Sequence, residues 1–199
     1  MIILVDSRQK KGHHSRKHTD MQTAGCELLM CKLPYGDYMR GDTLPDELLT
    51  DIRALHAEYM AGREPKAKLR KSVSDRLLEL HPLSVDTKQD LQEVYGNVIG
   101  DHIRFRQELE TAHTGEDSRL IVLIEQGEIR TLQNVHTWKN PRAIRWGMLR
   151  KRGINAGRPP ASSSQLQKAM ETMSVKYGVK WEFCSPKDSG KRIIELLGG

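Results

Sequence analysis

The chain has 199 residues, 37% hydrophobic and 29% charged, with a formal charge of +6 and a pI near 9.3. That is enough chain for one well-buried core, and the basic balance favours a polyanionic partner over a small acidic metabolite. Cys26, Cys31 and Cys184 make neither an even disulfide framework nor a zinc pattern, and the opening IILVD is too short for a signal-peptide core or a membrane span; reduced thiols in an intracellular protein are expected.

In chain order, MIILVD has the continuous apolar character of a buried strand ending on Asp6, and a polar, basic connection or helix start follows. That connection, Arg8 to His18, packs five Lys/Arg and three His into eleven residues. The spacing of His13, His14 and His18 matches no defined metal site, and contact with a nucleic-acid backbone through Arg8, Lys10 and Lys11 is the simpler account. CELLMCKL reads as a second strand closed by the turn Pro34-Tyr35-Gly36-Asp37, so a second strand ends on an acid.

Residues 45–80 carry apolar residues at helical spacing, broken at Gly62 and Pro65, which predicts two helices. The stretch of ~40 residues between Gly41 and His81 exceeds a usual connection, so about 42–81 reads as a helical insertion. LSVDTK is a strand, DLQEVYGNVIGDHIRFRQELETAH a helical segment interrupted near Gly96 or Gly100, and SRLIVLIEQ a buried strand with Glu125 at its end. Residues 139–160 read as a basic, weakly structured loop with Gly147, Gly153, Gly157 and Pro159-Pro160. A Ser-capped helix, the strand VKWEFC and a last helix close the chain. Strands alternating with helices predict a single α/β domain over residues 1–199.

The chemistry turns on Asp86-Thr87-Lys88. In a strand Asp86 and Lys88 project to one face while Thr87 turns away. A carboxylate can hold Mg²⁺ and an adjacent ammonium can orient water or shield charge developing on a phosphodiester, provided a second acid converges. Asp37 is the first candidate and Asp6 the next. Taken alone, the tripeptide reads first as a strand-end cap beside a solvated lysine.

The order of features resembles the nuclease domain of the XPF/Hef-type structure-specific DNA endonucleases of the PD-(D/E)xK superfamily. The parts are VDSRQ (Val5 to Gln9), LPYGDY with Gly36 and Asp37, Asp86-Thr87-Lys88 with the helix-starting Asp90-Leu91, IRFRQEL with Arg104, Phe105 and Gln107, LIVLIEQ with Glu125, and the closing helix-strand-helix. Gln9, Asp86 and Thr87 depart from the Glu, Glu and Arg of the family motifs. The resemblance implies a restriction-endonuclease-like central mixed sheet flanked by helices, and Mg²⁺- or Mn²⁺-dependent endonuclease activity on flap, fork or junction DNA. It implies Asp37, Asp86 and Asp6 as metal ligands, Lys88 as the residue that positions or activates water, and Glu125 as a secondary acid.

DNA contact is expected from Arg8, Lys10, Lys11, Arg104, Gln107, Lys139, Arg142, Arg145, Arg150, Lys151 and Arg152, with Trp138 and Trp146 among the basic groups. Core packing for the tryptophans, and pairing of Arg104 with Glu108 or Asp101, are the competing structural readings. A homodimer through the C-terminal helices and a cytoplasmic bacterial or phage setting, or a nuclear one in a eukaryote, complete the expectation. The alternatives are a catalytically inactive DNA-binding protein of the same fold, or another PD-(D/E)xK nuclease such as a resolvase or restriction-type enzyme.

Overall fold

A computed structural model describes residues 1–9, 14–100, 102–115 and 117–198. At its centre lies a six-stranded sheet built from β1 (Ile2–Asp6), β2 (Glu27–Cys31), β3 (Tyr38–Arg40), β4 (Ser84–Lys88), β5 (Leu120–Glu125) and β6 (Lys180–Cys184), in the order β2-β1-β3-β4-β5-β6. The sheet is mixed: β1 and β2 run parallel, as do β4, β5 and β6, whereas β3 is antiparallel to both β1 and β4. The helices among the described residues are α1 (Ser15–Thr23), α2 (Asp46–Met60), α3 (Ala67–Leu80), α4 (Leu91–Tyr95), α5 (His102–Ala112), α6 (Pro141–Lys151), α7 (Ser163–Tyr177) and α8 (Ser189–Leu196). This is the α/β, restriction-endonuclease-like class expected.

Period-two alternation divides the strand side chains between two cores. Leu4, Met39, Val122 and Ile124 enter the larger one, with Ile52, Val73, Phe105 and Leu166 from the helices. Ile3, Val5, Val85 and Leu123 enter the smaller one, closed by Met21 of α1 and Ile193 of α8. Residues 42–81 supply α2 and α3, whose Ile52, Leu55, Val73 and Leu77 belong to the larger core. They also cover a sheet edge, since the Met30 amide of β2 donates to His56 Nδ1 at 3.0 Å. No helix among the described residues is long and apolar enough to cross a membrane.

Two expectations are corrected and one is resolved. Asp37 does not end a strand; it stands immediately before β3, a three-residue strand too short to show a periodicity. Of the two readings of the segment after β1, connection or helix start, the helix holds: it forms α1, which buries Lys17 and Met21. Residues 139–160 are not simply a loop, because Pro141–Lys151 form α6, with Asn140 as its N-cap accepting from the Arg142 amide at 3.0 Å and Pro141 in its first turn. The predicted break after Tyr95 is a π-helical turn, Gly96–Gly100.

Candidate active site

The topology explains why the acids meet. Asp6 and Lys88 end parallel-type strands at one edge of the sheet, and β3 runs the opposite way, so the residue entering it reaches that same edge. Asp37 is stitched there by its backbone: its N–H donates to Val85 O at 2.9 Å and its carbonyl accepts from the Asp6 amide at 3.0 Å. Asp6, Asp37, Asp86 and Lys88 line one open cleft of about 1020 Å³. The facing wall is α5, where Arg104, Gln107, Glu108 and Thr111 recur at i, i+3, i+4 and i+7, opposite the buried Phe105 and Leu109.

Gly36 aims Asp37. Its φ is +68°, and a Cβ there would stand 2.2 Å from Ser84 Oγ. The Gly36 amide donates to Glu108 Oε1 at 2.9 Å, which ties α5 to the turn. Asp37 Oδ2 accepts from the Thr87 amide at 3.0 Å and from the Thr87 hydroxyl, while Oδ1 receives no hydrogen bond among the described residues. The Gln9 side-chain amide donates to the Asp37 carbonyl at 3.1 Å.

Asp86 and Lys88 share a face, and both are buried, 4% and 7% exposed. Lys88 Nζ lies 2.6 Å from Asp86 Oδ2, a buried ion pair. Burial pushes the Asp86 carboxyl well above the ordinary carboxylate range; Lys88 opposes this, while Glu108 and Asp37 add to it. For Lys88, burial works against the charge, but Asp86, Glu108 and Asp37 together outweigh it and raise the ammonium above the usual lysine value. Lys88 is therefore a fixed cation at neutral pH, suited to shielding and orienting rather than to accepting a proton. The Phe105 ring lies beneath it, 5.6 Å from Nζ.

The other acids are already engaged. Asp6 accepts from Arg8 Nε at 2.9 and 3.1 Å and weakly from the Leu33 amide at 3.4 Å. Burial raises its carboxyl and Arg8 counteracts the rise. Glu125 faces α1 and forms a buried ion pair with Lys17. Asp90 caps α4, its carboxylate accepting from the Glu93 amide at 2.8 Å while Glu93 accepts from the Gln89 amide at 2.9 Å.

Among the described residues no three His, Cys, Asp or Glu converge closely enough to enclose an ion by themselves. Mg²⁺ does not require that, since it takes one or two carboxylates and completes its shell with water and phosphate oxygens. The Asp86 carboxylate beside Lys88 and the open oxygen of Asp37 are hard oxygen donors on one cleft wall, so these residues fit such an ion.

Of the expected DNA contacts, Arg8, Arg104, Gln107 and Arg142 line the cleft, and Arg104 forms no ion pair with Glu108. Lys139, Arg145, Arg150, Lys151 and Arg152 lie outside it, on or beside α6. Lys10, Lys11, His13 and Asp101 fall outside the described residues. Trp138 packs near Tyr95 with ring centroids 6.3 Å apart, and Trp146 Nε1 donates to Gly157 O at 3.2 Å. Sequence reasoning missed Glu108, Thr87 as the donor that holds Asp37, and Lys17. The signal for Glu108 was present in the polar stripe 104/107/108/111.

No family model matches the chain, and no curated protein matches its sequence. Among solved structures it is similar to XPF from Aeropyrum pernix, at a TM-score of 0.50 and 14% identity over 99% of this chain and 60% of that one. It is also similar to XPF from Aeropyrum pernix in complex with DNA, at a TM-score of 0.51 and 14% identity over 98% of this chain and 62% of that one. The chain thus spans about three fifths of the length of these neighbours. The likeness extends over nearly the whole chain and establishes an XPF-like fold.

Proposed function

We propose that the protein is a metal-dependent DNA endonuclease acting on branched or interrupted duplexes. The observation that carries this reading is the convergence of Asp37, from the turn before β3, with Asp86 and Lys88 of β4 onto one cleft, where the two carboxylates stand beside a buried ammonium. Support also comes from the shared fold, one of whose solved representatives is an XPF complexed with DNA.

In this reading Asp37 and Asp86 hold Mg²⁺ or Mn²⁺, with Asp6 as a further acid at the wall. When bound, such an ion polarises a phosphoryl oxygen and lowers the pKa of water. Thr87 keeps the Asp37 carboxylate in one orientation through two donors. Lys88, held charged by Asp86, faces the negative charge that grows on phosphate oxygens as a water oxygen bonds to phosphorus and one P–O ester bond breaks. Arg8, Arg104 and Arg142 at the cleft wall take flanking phosphates.

The test is a panel of end-labelled duplex, flap, fork, junction and single-stranded DNA, incubated with Mg²⁺, Mn²⁺ or EDTA. Metal-dependent scission concentrated at branch points is expected. Binding of the same DNAs with no product under any metal would instead identify a non-cleaving DNA-binding protein, and sequence-specific cutting of plain duplex would identify a restriction-type enzyme.

A further inference from the structure

Residues 139–158 contain seven Lys/Arg and no acid, and no residue from 141 to 160 is buried. Most helices are stabilised by packing an apolar stripe onto a core, and α6 has no such stripe to pack. Its base is nevertheless clamped. Asn140, 4% exposed, donates to Ala161 O at 3.0 Å, and the Ala161 amide donates to the Tyr95 hydroxyl at 2.8 Å. The returning chain is braced against the helix, with Trp146 Nε1 on Gly157 O and the Ile154 amide on Leu149 O at 3.1 Å. Residues 140–161 therefore form a self-braced arm, fixed at both ends and standing clear of the core.

The arm starts at the cleft. Arg142, in its first turn, lines the cleft wall and lies 5.0 Å from the centre of the Tyr95 ring. Along its first two turns the arm exposes what a basic helix in water has no reason to expose. Ile144 and Met148, each 52% exposed, sit one turn apart on the same face. Scattered apolar residues need no explanation, but a paired set on a cationic projection does. Small apolar side chains flanked by cations are what proteins insert between base steps while holding the adjacent phosphates.

We infer that the α6 arm docks on DNA where the duplex is interrupted, with Ile144 and Met148 against the opened base step and Arg145, Arg150, Lys151 and Arg152 on phosphates. This rests on the DNA reading above and extends it to the recognition of substrate shape. A second copy of the chain is a poor occupant, since like-charged arms repel. A continuous duplex is also poor, because wedging an intact step costs unstacking, whereas a fork or flap has that step open already. Met148 lies six residues beyond Arg142, a rise of about 9 Å along the helix. The opened step is accordingly within about three base steps of the cleft edge.

The experiment uses the full chain in EDTA, with a fork carrying 2-aminopurine at the branch, the matching continuous duplex and the matching single strand. Affinity is read by fluorescence anisotropy across a salt series, and unstacking by 2-aminopurine emission. The wild-type protein should prefer the fork by about tenfold and raise its emission. The double variant Ile144→Ala/Met148→Ala, altered only at exposed positions, should lose both effects yet keep its duplex affinity and salt slope. Arg145→Ala/Lys151→Ala should weaken all three DNAs and flatten the salt slope by up to about 1.8. Fork preference and emission that survive the apolar variant would overturn the inference, as would equal weakening on all three DNAs by that variant. No binding by the wild type would overturn it too and point to an acidic protein partner. The two proposals separate cleanly: fork-selective binding without cleavage in Mg²⁺ removes the nuclease and keeps the arm, and cleavage with an unresponsive arm does the reverse.

Discussion

Gly36 places Asp37 through two independent constraints, a left-handed backbone and the absence of room beside Ser84 Oγ. Gly36→Ala should destabilise the fold by at least about 1–2 kcal/mol from the backbone term alone, before the steric conflict is counted. It should also turn Asp37 away from Thr87. A lowered Tm together with lost activity is expected in a thermal melt and a cleavage assay, and an unchanged Tm would show that the turn relaxes at no cost. Asp90, by contrast, serves as a helix cap. Asp90→Ala should lower stability by about 1 kcal/mol in a denaturant titration while the residual folded protein stays active. Activity lost out of proportion to stability would instead place Asp90 in the chemistry. The Asp86–Lys88 pairing was legible from strand alternation. The locking of Asp37 by Thr87 was not, because it joins residues fifty apart through a strand that short-range patterns do not reveal.

At the scale of elements, legibility followed hydrophobic burial. β1 and β5 are apolar runs with core on both faces, and the helices α2, α3 and α7 carry a periodic buried stripe. α6 has no buried stripe, and its glycine and following prolines read as loop punctuation; only the Asn140-Pro141 start signalled a helix. α1 carries a testable pH dependence. Burial, then the neighbouring His14 and Lys17, hold the His18 imidazole below the ordinary histidine range, and its Nε2 lies 3.2 Å from the Tyr38 hydroxyl. The unfolded chain therefore binds a proton that the folded chain refuses. The resulting stability is present above about pH 6.5 and is lost as the pH falls toward the folded value. Between about pH 7.5 and about pH 5, His18→Gln should lose less Tm than the wild type. Parallel Tm-versus-pH curves would contradict the assignment.

For the whole molecule, one antiparallel strand within an otherwise parallel arrangement brings the start of β3 to the same edge as the ends of β1 and β4, and so assembles a carboxylate and cation cluster that no single segment contains. The helices α2 and α3 contribute side chains to the main core. The open cleft, its basic wall and the arm beside it form one continuous surface running outward from Asp37 and Asp86. The central claim is that this cluster hydrolyses DNA, and the most direct test is single-turnover cleavage of a labelled fork by the wild type, Asp86→Asn and Lys88→Met, each checked for folding and for DNA binding in EDTA. The account predicts metal-dependent scission by the wild type and a loss of at least about 10²-fold in both variants, with DNA affinity retained. Folded variants that cut as fast as the wild type, or a wild type that binds the fork and never cuts it, would contradict it.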